Sequence, residues 1–376
     1  MHLVLMEFFS KLQIISFCLV LTSNSKYLLI EFEESRSSLE IKGRSLDYYS
    51  SRSLGTGTNK SFGDDIISRS SSSVSELLQH PNIKLINKKG CGTDRQKYAS
   101  RIIGGMETKR GEFPWLALMR PLGATNWNCG GSLISCSWVL TAAHCVTEDS
   151  GDCHPLTCSL NTCKTFPDKA RELMFGQHDI RERSKNIIVI SEKILPHKEF
   201  NYCSGKSDVA LIKLKKSVLT KTSKNVNTIC LPVEYPEELS VGLKATVAGH
   251  GNTKVVQDSS TGQWSSEKSS NIMKKLDSEL VKTEDCIKAH YHPLGGYTLS
   301  KEQNLCLRVL EGQDACHGDS GGPLMTFRGN SAPSKRKEWF QIGVVSWGND
   351  KCGVEGVPGI YTNVKTYMKW ILDNIY

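Results

Sequence analysis

A serine and a histidine in two separate short motifs are the residues of this chain best suited to chemistry. Ser320 stands in Gly-Asp-Ser-Gly-Gly-Pro, residues 318–323, and His144 stands far upstream in Thr-Ala-Ala-His-Cys, residues 141–145. Glycines around a serine let the backbone approach a substrate carbonyl without hindrance from a Cβ atom. An imidazole can remove the serine proton and so create a nucleophile. The two motifs together therefore predict acyl transfer through the serine.

Length and composition indicate a globular protein with one large domain or two smaller ones, plus extensions. The chain has 376 residues, of which 39% are hydrophobic and 23% are charged, as is typical of globular rather than disordered proteins. The formal net charge is +8, but no basic patch interleaved with aromatic residues accompanies it. We therefore interpret the lysine clusters as solvated surface and expect no nucleic acid partner.

The first residues have the pattern of a secretory signal. Lys11 precedes an apolar run over residues 12–21, and small polar residues follow the run. The run is too short to span a bilayer comfortably. We expect residues 1–25 to be a signal peptide and the mature protein to be secreted, without contact to a membrane. The alternative is an apolar N-terminus that is kept and anchors the protein at a membrane surface.

Cysteine usage agrees with export. The chain has 14 cysteines, and Cys18 would leave with the signal peptide. Most cysteines of an exported chain are paired, and the odd number that remains predicts at least one left over. The cysteines do not cluster with histidines at ligand spacings, so we expect no metal site.

Residues 26–101 differ from the rest of the chain. Ser-Arg-Ser repeats dominate and large apolar residues are sparse, so this segment cannot bury enough surface to offset its chain entropy. We interpret it as a flexible pro-segment with a short helix near Val74 to Gln79. Asn59 begins the only N-x-Ser/Thr sequon and is the expected glycosylation site.

From residue 102 onward, short β-branched and apolar runs alternate with Gly, Asn and Pro turns. The clearest runs cover residues 132–134, 186–191, 209–214, 245–248 and 342–347. Such spacing indicates an all-β barrel or sandwich. Only the end of the chain, Val364 to Asn374, has a helical period of apolar residues.

The motifs of residues 101–376 resemble those of the chymotrypsin/trypsin family of serine endopeptidases. The resemblance implies an all-β fold of two six-stranded antiparallel β-barrels, with the active site between them and a helix at the C-terminus. It makes residues 102–376 a trypsin-like protease domain, preceded by the flexible pro-segment. The order of the motifs, histidine before serine, is that of the family.

The resemblance also implies catalytic roles. Ser320 is the nucleophile, His144 is its general base, and Asp208, in Ser-Asp-Val-Ala-Leu, is the acid that orients the histidine. The backbone N–H groups of Gly318 and Ser320 form the oxyanion hole. Ser346 supports the triad aspartate and lines the edge of the substrate site.

The same resemblance implies a specificity. Asp314 matches the floor of the primary pocket, and Gly348 and Gly359 match its walls, so the pocket selects Arg or Lys before the cut. A buried carboxylate that faces an apolar side chain would stay uncompensated, at a cost of several kcal/mol.

Residues 101–105, Arg-Ile-Ile-Gly-Gly, resemble the activation site of the family. Cleavage after Arg101 by an activating protease frees the amine of Ile102, which folds inward and pairs with Asp319. The uncut chain is then a near-inactive zymogen, switched by one buried ion pair. The pro-segment stays attached as a light chain.

By resemblance, eight cysteines form four disulfides. These are Cys91–Cys230, Cys129–Cys145, Cys286–Cys306 and Cys316–Cys352. The pairing of the other five stays open: Cys136, Cys153, Cys158, Cys163 and Cys203. Three of these lie in a long insertion after Cys145, and we expect one of them to bridge to Cys203 and to narrow access to the cleft.

Two departures from the family pattern concern polar side chains. Gln177 replaces a glutamate in a loop that resembles the calcium loop of the family only in part, and a neutral ligand attracts calcium weakly. We therefore expect no cofactor, with weakly bound calcium as the alternative. His250, in Ala-Gly-His-Gly, stands where the family usually has Trp, and we interpret it as a replacement in a surface loop.

The leading hypothesis is a secreted serine endopeptidase that is made as a zymogen and cuts after Arg or Lys. Its expected partners are protein substrates with Arg or Lys before the cut, an activating protease and protein protease inhibitors. One alternative is a non-catalytic protease homologue that acts by binding, although such proteins usually lack a triad residue. Another is a membrane-anchored surface protease, if the apolar N-terminus is kept.

Overall fold

The structure, a computed structural model, describes part of the chain. The described residues are 20–23, 26–29, 34–35, 38–39, 73–94, 106–149, 165–167, 170–182, 186–219, 225–235, 239–252, 255–257, 264–266, 269–290, 299–328, 338–349 and 351–376. The chain divides into two units, Met1–Ile67 and Ser68–Tyr376. The first unit contributes two antiparallel hairpins, β1 (Val20–Ser23) with β2 (Lys26–Leu29) and β3 (Glu34–Ser35) with β4 (Ser38–Leu39). Apart from β1, the predicted signal peptide lies outside the described residues, as does Asn59.

The second unit opens with residues 73–94, which pack against the protein body. They contain α1 (Val74–Leu78), whose N-terminus is capped by the Ser73 hydroxyl, and a 3-10 helix (Ile83–Leu85). Leu77 and Ile86 are only 5% and 3% exposed and join the main hydrophobic core. The unit that holds the barrels therefore begins at Ser68, well before residue 102.

Hydrogen bonds fasten residues 73–94 to the body. The Asn87 side chain donates to Leu231 O at 2.8 Å and accepts from Leu231 N at 2.6 Å. Trp339 N donates to Gly92 O at 2.8 Å. A Cβ atom on Gly92 would lie 2.2 Å from Trp339 O, so this close approach requires glycine.

Six strands form the first closed antiparallel barrel. They are β6 (Leu116–Pro121), β7 (Cys129–Leu133), β8 (Trp138–Thr141), β11 (Arg171–Phe175), β12 (Ile187–Pro196) and β13 (Ala210–Leu214). The same part of the chain also contains the short strand β5 (Met106–Glu107) and a hairpin of β9 (Thr147–Asp149) with β10 (Thr165–Pro167). The barrel order is β11-β12-β13-β8-β7-β6. All four residues of β8 are buried. Successive side chains of a strand point to opposite faces, so both faces of β8 are covered, and Trp138 packs against Tyr376 at the C-terminus.

Six further strands form the second barrel. They are β14 (Lys244–Gly249), β17 (Lys274–Val281), β18 (Asn304–Leu307), β19 (Pro323–Arg328), β20 (Glu338–Trp347) and β21 (Gly359–Asn363), with a hairpin of β15 (Val255–Gln257) and β16 (Trp264–Ser266) between the first two. The order is β14-β19-β20-β21-β18-β17, and pairing of β14 with β17 closes the barrel, while β5 adds to β17 at its edge. A short helix, α2 (Thr283–Ala289), follows β17.

The C-terminal segment is helical. A 3-10 helix (Val364–Tyr367) leads into α3 (Met368–Asn374), and Val364, Met368 and Ile371 are fully buried on one face. The predicted fold, two six-stranded antiparallel barrels with a C-terminal helix, is therefore confirmed. Among the described residues, every helix is too short or too polar to cross a bilayer.

Candidate active site

The ends of β8 and β13 bring His144 and Asp208 together. The strands pair antiparallel with Ala210 opposite Thr141, so the residues just after β8 and just before β13 lie at one end of the barrel. His144 Nδ1 lies 2.8 Å from Asp208 Oδ2, and His144 N donates to Asp208 Oδ1 at 2.9 Å. Because a carboxylate only accepts, Nδ1 carries the ring proton and Nε2 is free to accept one.

Asp208 is held as an ionised acceptor. Its side chain has no exposed surface, Ser346 Oγ donates to Asp208 Oδ2 at 2.5 Å, and Thr362 Oγ1 donates to its backbone oxygen at 2.8 Å. Burial opposes ionisation, but the His144 imidazole and the hydrogen bonds from His144 and Ser346 hold the pKa of this carboxyl below its usual range. Thr362 was missed in the sequence, because a threonine inside a strand carries no signal of its own.

Ser320 lies in the turn just before β19, at the edge of the second barrel. Gly130 N donates to Ser320 O at 2.7 Å, which ties this turn to the first barrel. Gly321 has φ +78°, and a Cβ atom there would lie within 2.3 Å of Thr141 Oγ1, so only glycine fits. Ser320 and His144 line one cleft with about 230 Å³ of space open to water.

The backbone around Ser320 offers free donors. Gly318 has φ +101°, a conformation that favours glycine. In the described parts of the chain, the N–H groups of Gly318 and Ser320 donate to no other protein group. They are thus available to an oxyanion.

Asp314 lines the same cleft. A Cβ atom on Gly359 would lie 3.2 Å from Asp314 Oδ1, and one on Gly348 would lie 3.9 Å from Oδ2, so the two glycines leave room around the carboxylate. Burial and then the charge of Asp319 raise the pKa of Asp314 to about 7, against a hydrogen bond from Gly353 N. A cation beside this carboxylate would favour its ionised form and offset the cost of burial.

Asp319 is enclosed by backbone. Gly251 N donates to Asp319 Oδ1 at 2.7 Å, and Cys316 N donates to Oδ2 at 3.2 Å. Burial raises the pKa of Asp319 to about 6, although these two hydrogen bonds oppose the rise. A second cavity, with about 320 Å³ open to water, is lined by Asp319 and Asp314. Arg101 and Ile102 lie outside the described residues.

Aromatic side chains form a wall beside the histidine. The ring centroids of His144 and Trp347 are 5.1 Å apart. Tyr202 packs edge-on against Trp347 at 5.7 Å and 86°, from the loop that precedes Asp208. Nothing in the local sequence marks Tyr202, because its contact depends on how two distant loops meet.

The interpretation of His250 as a surface-loop residue is wrong. His250 is only 3% exposed, and its Nδ1 lies 2.9 Å from Ser270 O. Burial lowers the pKa of His250 to about 4. The reason is that Gly249 and Gly251 pack directly against the Asp319 carboxylate, which draws the residue between them into the interior.

The described part of the loop around Gln177 offers few free oxygen ligands. The Gln177 side chain is only 4% exposed and its Nε2 donates to Leu116 O at 3.3 Å. The Asp179 carboxylate is already engaged by both Nε and Nη2 of Arg181, at 2.6 to 3.1 Å. Calcium needs several free oxygen ligands, and in the described part of this loop the Asp179 carboxylate is already engaged by Arg181.

The structure contains the four disulfides that the resemblance implied. They are Cys91–Cys230, Cys129–Cys145, Cys286–Cys306 and Cys316–Cys352. Cys136 and Cys203 are also disulfide-bonded, and their partners lie outside the described residues, as do Cys153, Cys158 and Cys163. The Cys91–Cys230 disulfide joins residues 73–94 covalently to the rest of the second unit.

Comparison with known proteins agrees with this architecture. A family model described as Trypsin matches residues 102–371. CLIP domain-containing serine protease B4 of Anopheles gambiae is 35% identical over 306 residues, covering 76% of this chain and 72% of the relative. Melanization protease 1 of Drosophila melanogaster is 33% identical over 76% of this chain and 67% of the relative. Phenoloxidase-activating factor 1 of Holotrichia diomphalia is 34% identical over 74% of this chain and 71% of the relative.

Proposed function

We propose that this chain, which belongs to the trypsin family of serine proteases, is made as a zymogen and becomes an endopeptidase that cuts after Arg or Lys. One observation carries the proposal: His144, oriented by Asp208, lines one cleft together with Ser320 and Asp314. A base, a nucleophile and an anionic pocket in one cleft are what cleavage beside a basic side chain requires.

The chemistry follows from the same residues. Ser320 Oγ attacks the carbonyl carbon of the scissile bond while its proton passes to His144 Nε2. The carbonyl oxygen becomes an oxyanion that accepts from Gly318 N and Ser320 N, and one such donor is typically worth about 3 kcal/mol of barrier. The imidazolium, stabilised by Asp208, gives its proton to the leaving amine as the C–N bond breaks. Water then attacks the acyl group, and His144 again acts first as base and then as acid.

Specificity for basic side chains rests on the charge of Asp314. An Arg or Lys side chain that enters between Gly348 and Gly359 would bring its positive charge to this carboxylate. Without a cation nearby, burial raises the pKa of Asp314 to about 7. An apolar side chain would leave the buried charge uncompensated. Ser346 lines the same cleft and donates a hydrogen bond to Asp208.

Activation rests on Asp319. Its buried carboxylate has no cationic partner among the described residues, and a cavity open to water lies beside it. Cleavage after Arg101 would create an ammonium group on Ile102 that can enter this cavity and neutralise the carboxylate. Ion pairing would then hold the turn from Asp319 to Ser320 and the oxyanion donors in place.

The protein substrate and the setting are also part of the proposal. The names of two relatives describe a melanization protease and a factor that activates phenoloxidase. By analogy, we propose that this chain is a secreted protease that activates another protein by a limited cut. It would itself need an activating protease, and protein inhibitors would restrain it. The Cys91–Cys230 bond would keep the pro-segment attached as a light chain.

The test is labelling and cleavage after controlled activation. The purified chain is cut at Arg101 and treated with a fluorophosphonate, and we expect the label on Ser320 and none on a Ser320→Ala control. A peptide library should then show cuts only after Arg or Lys. Absence of label on the cut protein would favour a non-catalytic homologue that acts by binding, and cuts after apolar residues would refute the role of Asp314.

A further inference from the structure

Two buried polar side chains, each with an unpartnered atom, line one small cavity beside the oxyanion turn. Gln177 and His250 both line it, together with Gly318 and Asp319. Gln177 Oε1 and His250 Nε2 have no hydrogen-bond partner in the described structure, and both side chains are more than nine-tenths buried. Buried polar atoms are rarely left without a partner. Both residues are also departures from the family pattern, and the fold brings them to the same place.

The neighbours of each side chain determine what the two atoms can do. His250 Nδ1 lies 2.9 Å from Ser270 O, and a carbonyl oxygen can only accept, so Nδ1 carries a proton. Burial keeps the imidazole neutral at neutral pH by lowering its pKa to about 4, which leaves Nε2 as an acceptor. Gln177 Nε2 donates to the carbonyl of Leu116, so Oε1 is an acceptor as well.

We propose that one buried water molecule occupies this cavity and donates one hydrogen bond to Gln177 Oε1 and the other to His250 Nε2. A water molecule offers two donors, which matches two acceptors. The space open to the centre of a water molecule is about 10 Å³, about the room that one ordered water needs. Apolar side chains such as Leu116 and Leu118 line the rest of the cavity, and they favour no larger polar occupant.

The water would link the two barrels beneath the catalytic turn. Gln177 follows β11 of the first barrel, and His250 follows β14 of the second. His250 stands between Gly249 and Gly251, where a Cβ atom would lie 2.2 Å from an Asp319 carboxylate oxygen in either case. The water bound to His250 would therefore hold the end of β14 against which the Asp319 carboxylate packs. His250 and Gln177 are thus positioning residues for the oxyanion turn, which rests on the proposed protease function.

The first experiment is a crystal structure of the full disulfide-linked protein at a resolution that shows ordered water. We expect one water within about 3.2 Å of both acceptors. A cavity without density, or a side-chain partner for either atom, would overturn the proposal. This measurement does not depend on activity, so it separates failure of the water link from failure of the proposed function, which is read from fluorophosphonate labelling.

The second experiment is a double-mutant cycle with Gln177→Leu and His250→Phe in the activated protein. Each single variant should lower kcat for an arginine ester about three- to tenfold with KM changed less than about twofold, and the double variant should be no slower than the slower single variant. Multiplicative losses, or a loss in KM alone, would contradict a shared water that positions the turn. His80→Phe is the matched control, since His80 lies on the pro-segment stretch near Asp373, and its kcat should not change. If a variant does not fold, the crystal structure of the unaltered protein still decides.

Discussion

Replacing Asp319 with Asn should have opposite effects before and after activation. In the uncut chain, this buried carboxylate is stabilised only by two backbone N–H groups in the described structure. Burial raises its pKa from 3.8 to about 6, so the folded state resists ionisation of Asp319. Removal of the charge should therefore stabilise the uncut chain near neutral pH. After cleavage, the same substitution removes the anionic partner of Ile102 and should abolish activity.

The magnitude follows from the pKa. One pKa unit corresponds to about 1.4 kcal/mol, so a rise from 3.8 to about 6 makes the ionised carboxylate cost up to about 3 kcal/mol of unfolding free energy. Part of Asp319 faces the water-open cavity, so screening lowers the expected cost to about 1–3 kcal/mol. The folded pKa is the higher one, so this cost is absent below pH 3.8, grows as pH rises and is complete above about pH 6.

Urea unfolding at pH 4 and pH 7.5 measures the effect. Uncut chains with Ser320→Ala, which prevents self-cleavage, are compared with and without Asp319→Asn. The free-energy difference between the two should shift by about 1–3 kcal/mol in favour of the Asn variant from pH 4 to pH 7.5. An equal difference at both pH values would show that Asp319 already has a cationic partner in the uncut chain, and would refute the reasoning. Asp373→Asn is the control, because interactions with Lys369 and His80 outweigh burial and lower the pKa of Asp373, so no such gain is expected.

Three further predictions concern the cleft and the light chain. Burial raises the pKa of Asp314 to about 7, and only the ionised form attracts a cation, so KM for arginine substrates in steady-state assays should rise as pH falls below 7. Asp314→Ser should lower kcat/KM for these substrates by roughly 10²–10³. The same substitution should remove the pH dependence of KM. Ser346→Ala removes the 2.5 Å hydrogen bond to the triad carboxylate and should lower kcat about fivefold to tenfold with KM unchanged; an unchanged kcat would contradict that support. With Cys91→Ser and Cys230→Ser, the cut light chain should still co-elute with the protease on size exclusion, because the hydrogen bonds of residues 87–93 remain; release of the light chain would show that the disulfide alone holds it.

Local motifs made much of the site predictable. Asp208, His144 and Ser320 each stand in a short pattern whose residue types are dictated by backbone geometry and chemistry. The all-β class was predictable for a related reason, because short β-branched and apolar runs separated by turn residues indicate antiparallel strands. The division into two six-stranded barrels was implied only by the family resemblance. The C-terminal helix was marked by Val364, Met368 and Ile371, which recur on one helical face.

Contacts between distant segments were not predictable. The Ser-rich composition of the pro-segment gave no reason to expect that Leu77 and Ile86 enter the main core, since two apolar residues nine apart form no periodic pattern. Tyr202 contacts Trp347, and Thr362 contacts Asp208, only because separate loops and strands meet there.

The sequence by itself predicted acyl-transfer chemistry and an all-β fold, because these depend on residue type, spacing and local periodicity, and its motifs carried the family resemblance that implied two barrels. Only the tertiary structure decided that Gln177 and His250, 73 positions apart in the numbering, face one cavity behind Gly318. In the sequence each is an isolated departure from the family pattern. The reason is physical: burial, and the meeting of two acceptors across the interface of two barrels, are properties of packing that no local pattern encodes.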